Sequence, residues 1–343
     1  MDDYQVRSAF CQRVKAVLSA TMTSSGGATG GFLKCYAIVP PDTETQKLVS
    51  CSIRCRELPE LRQEDVLDKR DSSRKYKLIQ FRLQTDPAVS GALHFDITYE
   101  MDLFRLSTVK SSSGAVPVAP LSEGEEKSSL ESSPTIDFEN LNFQSYLDRN
   151  NLRRGSKESN LEFAYRAYQL INKELAARTV PNRPIGTENL KASKVCQPTA
   201  KDDGCGVCSI LFTATMRANK VPSRLLVGRL AKDSDGSGYG QWHVRSDFFD
   251  PKLGWDVVDQ TFGLIQTRLL GGNPNLDFGN NNGDYITFHK NSDLVIEGAI
   301  PKSQAPYLSI AMHQFQITAY DGDNWPSYQP RFDVETWRVT RTR

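Results

Sequence analysis

The stretch Asp202 to Phe212, DDGCGVCSILF, carries two cysteines in a Cys-x-x-Cys frame just ahead of a helix-like apolar run. Such a frame supports four chemistries: a redox pair, half of a metal site, inert core, or a nucleophile. A thiol at a helix amino terminus meets unpaired backbone N–H groups and the positive end of the helix dipole, and both favour the thiolate. Gly204 precedes Cys205 and lets the chain turn sharply, leaving room for a substrate. Cys208 falls one turn further in, toward the apolar side. The helix start therefore favours Cys205 as nucleophile and makes Cys208 a buried neighbour.

A nucleophilic thiol needs a base, and the downstream sequence offers one. The segments QWHVRSDFF (241–249) and GWDVVDQT (254–261) are joined by Asp250-Pro251-Lys252-Leu253, a short turn-forming run. Strands linked so tightly pair antiparallel, and folding the chain about Pro251 sets Asp259 nearly opposite His243. A carboxylate beside an imidazole fixes its tautomer and stabilises its charged form. Of the four histidines, His94, His243, His289 and His313, only His243 has a partner predictable from sequence. Cys, His and Asp together make the parts of a nucleophilic triad.

The rival chemistries fit less well. A thioredoxin-like pair wants its Cys-x-x-Cys after a strand in a βαβ unit and has no use for His243 or Asp259. A structural zinc site wants four ligands, and the other close pair, Cys51 and Cys55, falls on an apparent strand far upstream. A purely structural role for Cys205 and Cys208 stays open. Cys35, Cys51 and Cys55 occupy apolar positions of apparent strands and read as core.

GCGVCSILFTATMRANKVPSRLLVGR, followed by QWHVRSDFFDPKLGWDVVDQT, resembles the core of the transglutaminase-like superfamily. That family shows a Gly-x-Cys helix start, an Arg-Ala-x-Gly-Ile-Pro-Ala-Arg phrase, a His-Ala-Trp strand and a Gly-Trp-x-x-x-Asp-Pro-Thr strand. Matching from Pro222 and Arg224 puts the family nucleophile on Cys205, with Phe212, Arg217 and Ala218 in register, its histidine on His243 and its aspartate on Asp259. The region ahead, YAIVPPDTETQKLVSCSI, faintly resembles the amino-terminal domain of bacterial members. The resemblance implies a cysteine-dependent hydrolase that cleaves peptide or protein amide bonds through a thioester. It also implies an oxyanion site made by the Cys205 N–H and a second upstream donor, for which Gln197 is the candidate. A crosslinking transglutaminase and a non-catalytic protein-binding member of the fold are the alternatives. The chain departs from the family at His243-Val244-Arg245, Asp259-Gln260-Thr261 and Lys220-Val221-Pro222-Ser223-Arg224; none of these removes a triad group, but the aromatic after the histidine is missing.

The elements that must position these residues read as follows. Leu161, Ala164, Tyr165, Tyr168, Ile171 and Leu175 recur at helical steps over Ser159 to Arg178, with Ser159 as cap. A second helix is predicted from Cys205 to Asn219, ended by Pro222. Strands are predicted at 224–230, 241–249 and 255–261, with further strands near 307–320 and 332–340. In the first part of the chain, Leu93, Phe95, Ile97, Tyr99 and Met101 alternate with polar residues as in a half-buried strand, and 32–39, 48–55 and 76–84 are similar. The fold class is therefore α+β. Residues 1–110 form an amino-terminal antiparallel β-sandwich, and 111–137 form a flexible linker rich in Ser, Gly, Pro and Glu. Residues 138–343 form a transglutaminase-like, papain-like catalytic domain, with the nucleophile helix on an antiparallel sheet and strands at the carboxy end.

Composition narrows the function classes. The chain has 343 residues, 38% hydrophobic and 24% charged, with a formal net charge of +1. That balance gives no electrostatic case for nucleic acid or an anionic membrane. No apolar run nears the ~20 residues that span a bilayer, and Met1-Asp2-Asp3 does not open a signal peptide. The seven cysteines are too few and too odd in number for a disulfide framework, which points to the cytoplasm. Asp233, Asp235 and Asp323 are scattered and call for no metal, and nothing calls for a cofactor. The expected partner is a peptide or protein substrate.

Overall fold

The computed structural model describes residues 4–23, 32–58, 60, 63–67, 75–82, 93–110, 117–178, 190–198, 204–232, 242–266, 277–291, 293–294, 308–309, 316–321 and 331–342. Six strands come first: β1 (Tyr4–Thr23), β2 (Phe32–Val39), β3 (Gln46–Cys55), β4 (Gln63–Leu67), β5 (Lys75–Arg82) and β6 (Leu93–Lys110). Helices α1 (Glu123–Leu130), α2 (Leu141–Arg149), α3 (Asn160–Ala177), α4 (Ala192–Val195) and α5 (Cys205–Ala218) follow. Then come β7 (Ser223–Leu230), β8 (Trp242–Asp250), β9 (Gly254–Val258), α6 (Gln260–Ile265), β10 (Asn280–Asn281) and β11 (Tyr285–Lys290). Short β12 (Asp293–Leu294) and β13 (Leu308–Ser309) precede β14 (Gln316–Asp321) and β15 (Arg331–Arg341).

The site is carried by a four-stranded antiparallel sheet in the order β11-β7-β8-β9. One face takes α5, which is buried from Val207 to Arg217. Such a helix, apolar nearly all round, belongs inside a protein. Its amino-terminal cap is Gly204, with no side-chain hydrogen bond. A good cap contributes about 1 kcal/mol, whereas each large apolar side chain wholly removed from water contributes roughly 1.5–3 kcal/mol. Packing of Ile210, Leu211 and Phe212, all fully buried, therefore fixes where Cys205 sits. At the other end, the buried Arg217 donates to the carbonyls of Ser223 (2.9 Å) and Glu131 (3.0 Å) and to Asn291 Oδ1 (2.5 Å). Helix α3 packs against α5 and starts at Ser159, the cap read from its sequence, in a full capping box with Glu162.

The opposite face of the site sheet meets a second antiparallel sheet, in which β6 pairs β1 on one edge and β3 and β10 on the other, with β15 beyond β1. Phe288 of β11 meets Tyr99 of β6 and Trp337 of β15 edge-on, at ring-centroid distances of 5.3 and 5.9 Å. A third antiparallel sheet has the order β14-β2-β5-β4. The architecture is thus mixed, with antiparallel sheets and a helix-backed core.

Two expectations about organisation change. The carboxy-terminal strands, expected within the 138–343 domain, pair with the first part of the chain: β15 pairs β1 from Val14↔Arg341 to Thr23↔Arg331, and β14 pairs β2. Pairing therefore crosses the boundary placed between residues 1–110 and 138–343. Nor is 111–137 linker throughout, since α1 lies within it and buries Ser128 and Ser129. Ser122 caps this helix, Glu123, Glu125 and Glu126 fill its first turn where the dipole favours them, and both serine hydroxyls bond back to carbonyls one turn earlier. Helix stability here comes from polar contacts that an apolar-periodicity reading does not register.

Candidate active site

The three sequence-predicted groups meet at one end of the site sheet. Cys205 is the first residue of α5 and half-buried, and its sulfur is near enough to the His243 ring to favour the charged imidazole. The Asp259 carboxylate holds His243 Nε2 at 2.5 Å, which leaves Nδ1 for the sulfur. The contact order is thus thiol, imidazole, carboxylate. Both His243 and Asp259 are buried. Burial alone would lower the imidazole, but the Asp259 charge and the Cys205 sulfur outweigh it and raise His243 to about 10.

Each group is held by a local reason. His243 lies on β8 opposite Gly228 of β7, and β8 turns back into β9 through the pair Asp250↔Gly254. A Cβ at Gly228 would lie 1.9 Å from the Ile286 carbonyl oxygen and 2.8 Å from the Tyr285 hydroxyl. Only glycine leaves room for that hydroxyl, which shares its proton between the carbonyls of Leu226 (2.8 Å) and His243 (2.9 Å). The Tyr285 ring also meets the imidazole edge-on at 5.9 Å.

Asp259 departs from the sequence expectation of a strand through Thr261. The strand ends at Val258, and Asp259 caps α6 by accepting the Phe262 N–H on Oδ1 at 3.2 Å. One oxygen starts a helix while the other holds the histidine. Phe262, carried on that helix, stacks on the imidazole at 4.8 Å with an interplanar angle of 28°. It is 37% exposed and therefore forms part of the surface over the histidine. The backbone N–H of Asp259 is held at 2.9 Å by the Asp277 carbonyl. Burial and the nearby Asp259 charge raise the Asp277 carboxyl to about 6, with His243 opposing.

Sequence reasoning did not find Phe262, Tyr285 or Asp277. An Asp three residues before an aromatic is a weak helix-start signal that could have pointed to Phe262; Tyr285 and Asp277 lie far along the chain and carried none. Arg245, which stands where the family has an aromatic, does not reach the site rim. It is buried, lies 4.0 Å from the Tyr285 ring centroid, and donates to Asn281 (2.8 Å) and Thr45 (3.2 Å). Gln197 follows α4, and its side-chain amide donates to the Ser193 carbonyl at 3.2 Å.

A second cluster of the same residue types provides a control. Cys55 donates to Glu57 at 3.5 Å, and Glu57 holds His94 Nδ1 at 2.6 Å. There the carboxylate sits in the middle, so the imidazole has no path to the thiol proton. His289 is buried on β11, and His313 lies outside the described residues. Cys208 is fully buried, whereas the side chain of Cys35 lies outside the described residues.

Residues 149–260 match the sequence model of the transglutaminase-like superfamily. No curated protein sequence matches the chain. A candidate cysteine protease from Cytophaga hutchinsonii is similar in structure over 98% of this chain and 93% of its own, with a TM-score of 0.54 at 11% identity. The periplasmic domain of TgpA from Pseudomonas aeruginosa covers 76% of this chain and 91% of its own, with a TM-score of 0.34 at 11% identity. The first of these shares the fold.

Proposed function

We propose, from the match of residues 149–260 to the sequence model of the transglutaminase-like superfamily, that this protein is a cysteine-dependent hydrolase acting on peptide or protein amide bonds. One observation carries the reading: His243 stands between the Cys205 thiol and the Asp259 carboxylate. In the proposed cycle, the proton of the Cys205 thiol already rests on His243, beside the Asp259 charge, and the Cys205 sulfur attacks the amide carbonyl carbon. The Cys205 N–H, at the start of a helix, donates to the oxyanion, and the positive end of the helix dipole supports it. Gln197 is proposed as the second donor, which requires its amide to turn from Ser193. Imidazolium then gives its proton to the departing amine, leaving a thioester on Cys205. Water, deprotonated by His243, attacks the thioester and releases the acid. Asp259 stays charged throughout, holding the ring and balancing the imidazolium.

Water rather than a lysine amine is the proposed acceptor, and the partial exposure of Cys205 and Phe262 supports ready entry of solvent. The test is incubation of the protein with a peptide library, with and without a primary amine, read by mass spectrometry. Cleavage or deamidation in both arms is expected, lost in Cys205→Ala and kept in Cys208→Ala. Amine incorporation in preference to water would replace this reading with transamidation. Labelling of Cys205 by iodoacetamide no faster than an exposed peptide thiol would leave only a binding protein.

A further inference from the structure

The proposed cycle uses one of the two thiols in the Cys-x-x-Cys frame, and the placement of the other has chemical content. Cys205 is the first residue of α5 and half-buried; Cys208 is one turn further in and fully buried in the core. Side chains three apart share a helix face, and the Cα–Cβ bond of the later one leans back toward the helix start. In a regular helix such a pair has Cα atoms about 5 Å apart, from a rise of about 4.5 Å and an offset of about 60°. That separation lies inside the range of disulfides. The Cβ atoms, at about 5–6 Å, must close by roughly 1–2 Å to reach disulfide spacing. Movement of that size need involve only the first turn, where the Cys208 N–H donates to the Gly204 carbonyl at 3.1 Å. Gly204 caps the helix without a side-chain bond and can adopt backbone angles closed to other residues.

We propose that Cys208 is the resolving thiol for peroxide oxidation of Cys205, closing a reversible Cys205–Cys208 disulfide that shields the nucleophile from irreversible damage. The Cys205 thiolate attacks one oxygen of hydrogen peroxide. The O–O bond breaks, the sulfur is oxidised by two electrons to a sulfenic acid, and hydroxide leaves. The Cys208 sulfur then attacks the Cys205 sulfur as the S–O bond breaks. Its proton goes to the departing hydroxide, so two thiols and one peroxide yield one disulfide and two waters. A dithiol reductant reverses the bond through a mixed disulfide.

Cys196 is the rival resolver in the same core. The charges around it are Arg178, Arg149 and Asp137, none of them at the site, and burial pushes its thiol up to about 11.

This inference rests on a reactive Cys205 but not on the identity of the substrate, and its test is read from masses. The reduced full-length protein is treated with a small excess of hydrogen peroxide, at least two equivalents because a sulfinic acid consumes two, then alkylated with iodoacetamide and digested with trypsin. The fragment DDGCGVCSILFTATMR, residues 202–217, contains both cysteines and no others. In the wild type it is expected to be two hydrogens lighter and unalkylated, with dithiothreitol restoring two alkylatable thiols. In Cys208→Ala and Cys208→Ser it is expected to gain two oxygens as a sulfinic acid that dithiothreitol does not reduce. A cooperative thermal melt before peroxide shows that either variant is folded. Equal oxygen gain in wild type and variants, or a disulfide from Cys205 to Cys196, overturns the proposal. If hydrolysis fails but the disulfide forms, the functional reading alone is at fault.

Discussion

His243 is buried, yet it is raised to about 10, because the Asp259 carboxylate and the Cys205 sulfur offset the loss of water around the ring. A group raised in the folded state from 6.5 binds its proton more tightly there than in the unfolded chain. The stability it contributes is therefore complete below about pH 6.5, declines above it, and is gone once pH passes about 10. NMR titration of the imidazole should find the ring still protonated at pH 8 in the wild type. In Asp259→Asn the ring should titrate at lower pH and turnover should fall on the order of 10³- to 10⁴-fold, as in Ser-His-Asp enzymes that lose the acid. A neutral ring at pH 8 in the wild type would contradict the charge balance argued here. The three groups of this site were legible because chain order, a helix start and a tight hairpin each leave a local mark. Phe262 and Asp277 were not, since what brings them to the imidazole is a six-residue helix and a backbone hydrogen bond from a distant segment.

At the scale of elements, α6 is the positioning device, because it carries Phe262 and is started by the same carboxylate that holds the imidazole. Its approach to α3 is set at Gly263, where a Cβ would lie 1.9 Å from the Tyr168 hydroxyl and 2.8 Å from the ring carbon bearing it. Gly263→Ala must push α6 away from α3 and so pull Asp259 off His243. Overpacking of this kind destabilises by about 1–3 kcal/mol, but the loss of turnover should be larger than the loss of melting temperature suggests. Tyr168→Phe in the same chain removes the closest clashing atom and should restore part of the activity. Equal, small losses in the single and double variants would mean that α6 moves without consequence. A helix this short falls below the length at which apolar periodicity is informative, and Val257-Val258 before it invites the strand to be read too far. Long α3 and α5, by contrast, showed their period, cap and stop directly in the residues.

For the molecule as a whole, Arg224 is the joint. It is buried on β7, ion-pairs with Asp247 on β8, and reaches Glu44 between β2 and β3 at 3.0 Å and Glu125 of α1 at 3.3 Å. Its guanidinium also lies 3.5 Å from the Trp255 ring centroid. Removing it leaves Asp247 charged and buried without its partner, a change worth about 3–5 kcal/mol. Glu44→Gln and Glu125→Gln remove partly exposed partners, worth about 0–1 kcal/mol each. Urea denaturation of Arg224→Ala, Glu44→Gln and Glu125→Gln should follow that order; equal losses would mean the joint is not centred on Asp247. None of these partners could be found from sequence, because Glu44 and Glu125 stand 180 and 99 residues from Arg224. Strand β1 was missed for a related reason: its inward positions include the small Ala16 and Ala20, and Val17 faces outward, which blurs the alternation. The pairing of β1 with β15 also dictates an order of events during synthesis. Helix α5 leaves the ribosome well before residues 331–341 exist, so the edge of β1 from Val14 to Thr23 stays bare until translation reaches them. A nascent chain paused at residue 300 should therefore bind chaperone and resist becoming a compact, protease-stable body, even though Cys205, His243 and Asp259 have all been made.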